Sequence, residues 1–119
     1  MQDFFDKYIG TKYRETDEYG NYLGCLYPAY LLYPDKPKRK VDESNFSLLF
    51  VMGEFSKALT RVEKAEKFGD IILLRQFGKF HIYVVVNSCK AVHINKDGRL
   101  EYIHYEINCK DPRIIGVFR

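Results

Sequence analysis

The spacing of apolar positions divides the chain into two halves. In the first half they recur at helical intervals. Asp3–Thr11 reads as a helix, with Asp3 as its candidate cap, Phe4, Phe5, Tyr8 and Ile9 on one face, and Gly10 ending it. Lys12–Leu23 is polar, with Glu18-Tyr19-Gly20-Asn21 as its turn. A second helix begins at Gly24-Cys25, carries Leu26, Ala29, Tyr30 and Tyr33 on its apolar face, and stops at Pro34. Pro28 is tolerated because the N–H groups of a helix's first turn have no partner inside the helix. Phe46–Arg61 reads as a third helix, and Glu63–Gly69 as a polar lead-out.

In the second half the runs are short and β-rich. Asp70–Leu74, His81–Val86, Ala91–Ile94, Leu100–Glu106 and Ile114–Phe118 read as strands, punctuated by Gly78, Asn87-Ser88, Asp97-Gly98 and Asp111-Pro112. Asn95-Lys96-Asp97-Gly98 is a hairpin turn signal. Helices followed by an antiparallel meander predict one α+β domain over residues 1–119.

Composition narrows the picture. At 119 residues, with 46% hydrophobic and 29% charged positions, the chain has the make-up of one folded domain. Ten Tyr and nine Phe supply a ring-rich core that does not need disulfides. The longest apolar stretches, such as Ile82–Val86, fall far short of the ~20 residues of a membrane span. Met1–Asp6 has neither a basic nor an apolar region, so no signal peptide is expected. Nineteen basic residues against sixteen acidic give a net charge of +3 and no dominant positive face. Lys36–Lys40 then reads as a solvated basic loop, and nucleic acid is not an expected partner. Cys25, Cys89 and Cys109 are odd in number and lack CxxC spacing, so neither a disulfide framework nor a metal site is expected. No cofactor is expected either.

The candidate chemistry starts at Cys25, where a polar turn becomes a helix. The positive end of a helix favours the thiolate, and its free N–H groups can hold an oxyanion. Such a nucleophile needs a base, commonly an imidazole oriented by a third group. His81 opens one strand and His93 lies on the next, so antiparallel pairing can set one beside the other. His104 lies on a later strand with its face undetermined. Each residue also has a plainer reading. Cys25 can be a small buried hydrophobe, and the two histidines can be strand-end or satisfied core residues.

Local context and order add a resemblance. Phe5-Asp6-Lys7-Tyr8-Ile9-Gly10-Thr11-Lys12-Tyr13, Asn21-Tyr22-Leu23-Gly24-Cys25-Leu26, Gly69-Asp70-Ile71-Ile72-Leu73-Leu74, His81-Ile82-Tyr83-Val84-Val85, Ala91-Val92-His93 and the ending Arg113–Arg119 follow one another along nearly the whole chain. This ordered set resembles the NlpC-type papain-like cysteine peptidases, which hydrolyse bacterial cell-wall peptides, and within them the small bacteriophage tail members. The resemblance implies a papain-like fold with N-terminal helices packed on a C-terminal antiparallel sheet. It implies Cys25 as nucleophile, His81 as general base, His93 as the third polar residue, and Tyr13 as a hydroxyl donor near the oxyanion. It also implies peptidoglycan peptides as substrate, phage tail-tip proteins as partners, and a virion tail, or the bacterial cytoplasm during assembly, as location. Asp70 reads as a turn and strand-start residue.

Two features depart from the family pattern. Gly24 stands where Asp usually precedes the cysteine, and Tyr27 and Tyr83 stand where small residues let helix and sheet approach. They support a second reading, a degenerate copy that acts as an assembly or plug protein of a phage tail tip.

Overall fold

A computed structural model describes residues 3–12, 27–33, 61–62, 67–76, 79–106 and 111–118. Among the described residues six strands form one antiparallel sheet: β1 (Arg61–Val62), β2 (Ile71–Gln76), β3 (Lys79–Asn87), β4 (Lys90–Ile94), β5 (Leu100–His104) and β6 (Ile114–Phe118), in the spatial order β1-β6-β2-β3-β4-β5. One short helix, α1 (Tyr27–Leu32), and a 3₁₀ turn at Asp6–Tyr8 are the helical elements among the described residues. The architecture is α+β.

Every strand expected from the second half is present, and β6 has the expected limits. β2 and β3 reach further toward each other than the sequence pattern suggests, and β5 ends at His104 rather than Glu106. The arrangement is a meander only from β2 to β5. β6 returns to pair with β2, and β1 pairs with β6 beyond it. Arg61 therefore lies in a strand rather than at the end of a third helix; the remainder of Phe46–Arg61 lies outside the described residues.

Asp3–Thr11 does not form the expected helix. Its helical geometry is limited to the 3₁₀ turn, and Ile9 is already extended, with φ −61° and ψ 134°. Two forces outweigh local helix preference here. Gly10 N–H donates to the carbonyl of Leu100 (2.8 Å), and Leu100 N–H donates to that of Thr11 (3.1 Å), so the backbone joins the start of β5. The rings of Phe4 and Phe5 also turn toward Phe68, and Phe5 becomes fully buried. Gly10 does end the turn, with φ at +85°, a value that glycine reaches without strain.

α1 keeps Pro28 in its first turn and buries Pro28, Ala29 and Tyr30. Ala29 and Tyr30 share a core cluster with Phe5, Ile71, Leu73, Ile82, Val84, Val86, Val92, Ile94 and Leu100. Alternation along the strands sends the intervening residues to the other face. There Ile72, Leu74, Tyr83, Val85, Ala91 and Val117 form a second buried cluster. A register shift between β2 and β6 pairs Leu73 with Gly116 but Leu74 with Ile114, which leaves Ile115 bulged and 37% exposed. That bulge allows Ile114 and Val117, three positions apart, to pack on the same cluster.

Candidate functional site

Polar side chains gather on the second face at the ends of β3, β4 and β5. His81 and Tyr83 project from β3, His93 from β4 and Glu101 from β5. Val84 pairs with Val92 and His93 with Glu101, so the register alone brings these residues to one face. His81 Nε2 lies 3.1 Å from His93 Nδ1. His93 Nε2 lies 2.9 Å from Glu101 Oε1. Asn95 Nδ2 donates to Glu101 Oε2 at 3.0 Å. The turn holds Asn95 in place, because its Oδ1 accepts the backbone N–H groups of Asp97 (2.9 Å) and Arg99 (3.0 Å). Four side chains thus form one chain of hydrogen bonds from the half-buried His81 end to an exposed turn.

A second network stands beside it. Asp111 Oδ1 and Oδ2 accept from Arg113 Nε (3.0 Å) and Nη2 (2.8 Å), a bidentate pairing. Tyr105 Oη also donates to Asp111 Oδ2 at 2.8 Å. Arg113 hydrogen-bonds Tyr83. The Tyr83 ring stands edge-on to three neighbours, with centroids 5.6 Å from His81, 5.4 Å from His93 and 5.1 Å from Tyr105. No buried side-chain nitrogen or oxygen among the described residues lacks a partner.

Electrostatics follow from these placements. Burial, then the neighbouring His93 ring, then the Arg113 guanidinium disfavour the imidazolium of His81 and push it down to about 4. His81 is therefore neutral near pH 7. The hydrogen bonds from Asn95 and then His93 hold Glu101 below the usual carboxylate range. Asp111 is held well below that range, chiefly by Arg113. The phenol of Tyr105 is pushed up, first by burial and then by its bond to Asp111.

His81 and His93 are thus brought together, as strand pairing predicts. Cys25, Tyr13 and Gly24 lie outside the described residues, as does Lys36–Lys40. α1 starts two positions after Cys25, and Tyr27 packs on the first-face cluster, away from the two histidines. His104 is exposed at the end of β5 and meets Glu106 at 3.1 Å. Asp70 is a buried turn residue whose Oδ2 accepts the N–H of Lys67 at 3.0 Å. Cys89 is free and exposed. Among the described residues no group of three or more His, Cys, Asp or Glu side chains is arranged to hold a metal ion, and no helix is long and apolar enough to cross a membrane.

Sequence reasoning missed Glu101, Asn95 and the Tyr105–Asp111–Arg113 network. Glu101 carried a usable signal: a hairpin turn at Asn95–Gly98 that pairs Ile94 with Leu100 also pairs His93 with Glu101. Arg113 carried none, because its place depends on β6 returning beside β2. No family model matches this chain, and no curated protein or solved structure does.

Proposed function

We propose that this chain is a cysteine peptidase or amidase of papain-like, NlpC-type architecture that hydrolyses peptide bonds of bacterial peptidoglycan as part of a phage tail. The observation that carries the reading is the 3.1 Å contact between His81 and His93. A general base needs a fixed ring with one nitrogen held and the other open to the nucleophile. Nε2 of His81 is the held nitrogen, and burial keeps the ring neutral.

In this scheme Nδ1 of His81 takes the proton of the Cys25 thiol as the sulfur attacks the amide carbonyl carbon. The backbone N–H of Cys25 and the hydroxyl of Tyr13 hold the resulting oxyanion. His81 returns the proton to the leaving amine, the C–N bond breaks, and a thioester remains. Water, deprotonated by His81, then attacks the thioester, releasing the acid and the thiol. The class of bond and the tail setting come from the family resemblance, with action in the virion tail or in the bacterial cytoplasm during assembly.

The test uses purified cell-wall peptides and a Cys25→Ala variant. The variant is expected to lose all hydrolysis while its thermal unfolding stays within a few degrees of the native protein. Equal activity of the two proteins would falsify the mechanism.

Two observations favour a degenerate, structural copy instead. The Tyr83 ring occupies the space beside both imidazoles, and α1 packs on the face opposite them. Under that reading Cys25 titrates as an ordinary thiol toward a thiol-reactive probe, and no hydrolysis is detected. A depressed thiol pKa that reverts in His81→Ala supports the enzyme.

A further inference from the structure

We infer that Glu101, oriented by Asn95, is a positioning residue that sets the proton positions on both imidazoles and leaves Nδ1 of His81 as the lone-pair nitrogen. The argument is a matter of donors and acceptors. An ionised carboxylate only accepts, so the 2.9 Å contact to Glu101 Oε1 requires a proton on Nε2 of His93. In a neutral His93 ring, Nδ1 then carries the lone pair. The 3.1 Å contact to His81 therefore requires a proton on Nε2 of His81. Nδ1 of His81 is left without a proton, which is the state a base needs.

Asn95 makes this arrangement directional. Its Oδ1 is taken by two backbone N–H groups of the turn, so its amide nitrogen must face the carboxylate. A glutamine at position 101 would meet that nitrogen with its own carbonyl oxygen. Its amide nitrogen would then point at His93 and donate to Nε2. The lone pair would have to move to Nε2 of His93, the proton to its Nδ1, and the His81 proton to Nδ1. One isosteric change at the exposed end of the chain would reverse both rings and remove the base's lone pair.

As an account of catalysis the inference rests on the cysteine-hydrolase reading; as a statement about ring protons it does not. The experiment separates the two. Full-length protein labelled with nitrogen-15 histidine is studied by two-bond proton–nitrogen correlation at neutral pH. In the native protein, Nδ1 of His81 and of His93 is expected to show a pyridine-type shift and Nε2 of both a pyrrole-type shift. In Glu101→Gln both assignments are expected to reverse. A native His81 protonated at Nδ1 overturns the inference, and this measurement needs no variant to fold. Unchanged tautomers in Glu101→Gln overturn it as well.

The hydrolysis arm expects kcat to fall about 10²–10⁴-fold in Glu101→Gln with KM unchanged, the usual worth of a correctly protonated base. An unaltered kcat, in a native enzyme that depends on Cys25, would refute the catalytic role of the tautomer. If the native protein hydrolyses nothing, the enzyme reading falls while the nitrogen shifts still decide the role of Glu101.

Discussion

The two faces of the sheet are built from alternate residues of the same strands, yet they work by different physics. On the first face, Ile71, Leu73, Ile82, Val84, Val92 and Leu100 meet Phe5 and α1 with no charged group among them. Its stability comes from apolar burial and close packing. The second face also has an apolar centre, Ile72, Leu74, Val85, Ala91 and Val117. Around that centre sit two imidazoles, two carboxylates, a guanidinium and two phenols, each with a partner. A one-residue step along a strand moves a side chain from an apolar cluster to a network of ionisable groups. Strand register, held by the apolar face, is what brings the ionisable groups of the other face together.

The largest effect expected on this contrast comes from the first face. Leu73 is almost wholly buried, so Leu73→Ala should cost about 2–5 kcal/mol through lost burial and the cavity left behind. That loss should change little from pH 5 to pH 7, because the described side chains of the cluster itself are apolar or phenolic. Denaturant unfolding at several pH values measures it. A loss that changes by more than about 1 kcal/mol across the range would show that the two faces are coupled.

Next in size is a loss that only the second face can show. His81 is lowered from 6.5 to about 4 in the folded protein. As pH falls from 6.5 the unfolded chain takes up a proton on this residue and the folded one does not. Stability from this group is therefore fully present above pH 6.5 and drains away between 6.5 and about 4. The ceiling on the loss is on the order of 3 kcal/mol. The native protein should show this slope in urea unfolding, and His81→Gln should flatten it. A native protein equally stable at pH 4.5 and pH 7 would mean that His81 is not desolvated as the structure has it.

How much of this contrast could be read from the chain depends on whether neighbours in sequence or neighbours in space decide each residue. β3, β4 and β5 are legible because each alternates and each turn is local: Asn95 fixes its own turn through two backbone N–H groups. The contact of His81 with His93 follows from those turns, and so, by one more step of pairing, does Glu101. Phe4 to Ile9 misled because its apolar spacing suits a helix while its neighbours in space, Phe68 and Leu100, suit a 3₁₀ turn that opens into an extended chain at Ile9. The return of β6 had no local signal. It is a choice between sheet edges, made by tertiary packing, and it alone carries Arg113 to the site.

The smallest effect tests that last placement. Asp111 is only 11% exposed and Arg113 is 36% exposed, so their pairing lies between a surface and a buried ion pair. Asp111→Ala removes the acceptor of Arg113 Nε and Nη2 and of the Tyr105 hydroxyl together. Solvent at the guanidinium limits the cost to about 1–2 kcal/mol at pH 7. The sign of its pH dependence is the same as for His81, but the window is different. A carboxyl lowered in the folded state contributes fully above its ordinary value near 3.8 and loses that contribution as pH falls below it. The two windows meet near pH 4, so the acid slope should have an upper limb that flattens in His81→Gln and a lower limb, to which Glu101 also contributes, that becomes shallower in Asp111→Ala. Arg113 is also one of the charges that depress His81. Freed from Asp111, a guanidinium that stays beside His81 should depress it further and extend the upper limb below pH 4. An upper limb that ends at a higher pH instead would mean that Asp111 is what holds Arg113 at the site.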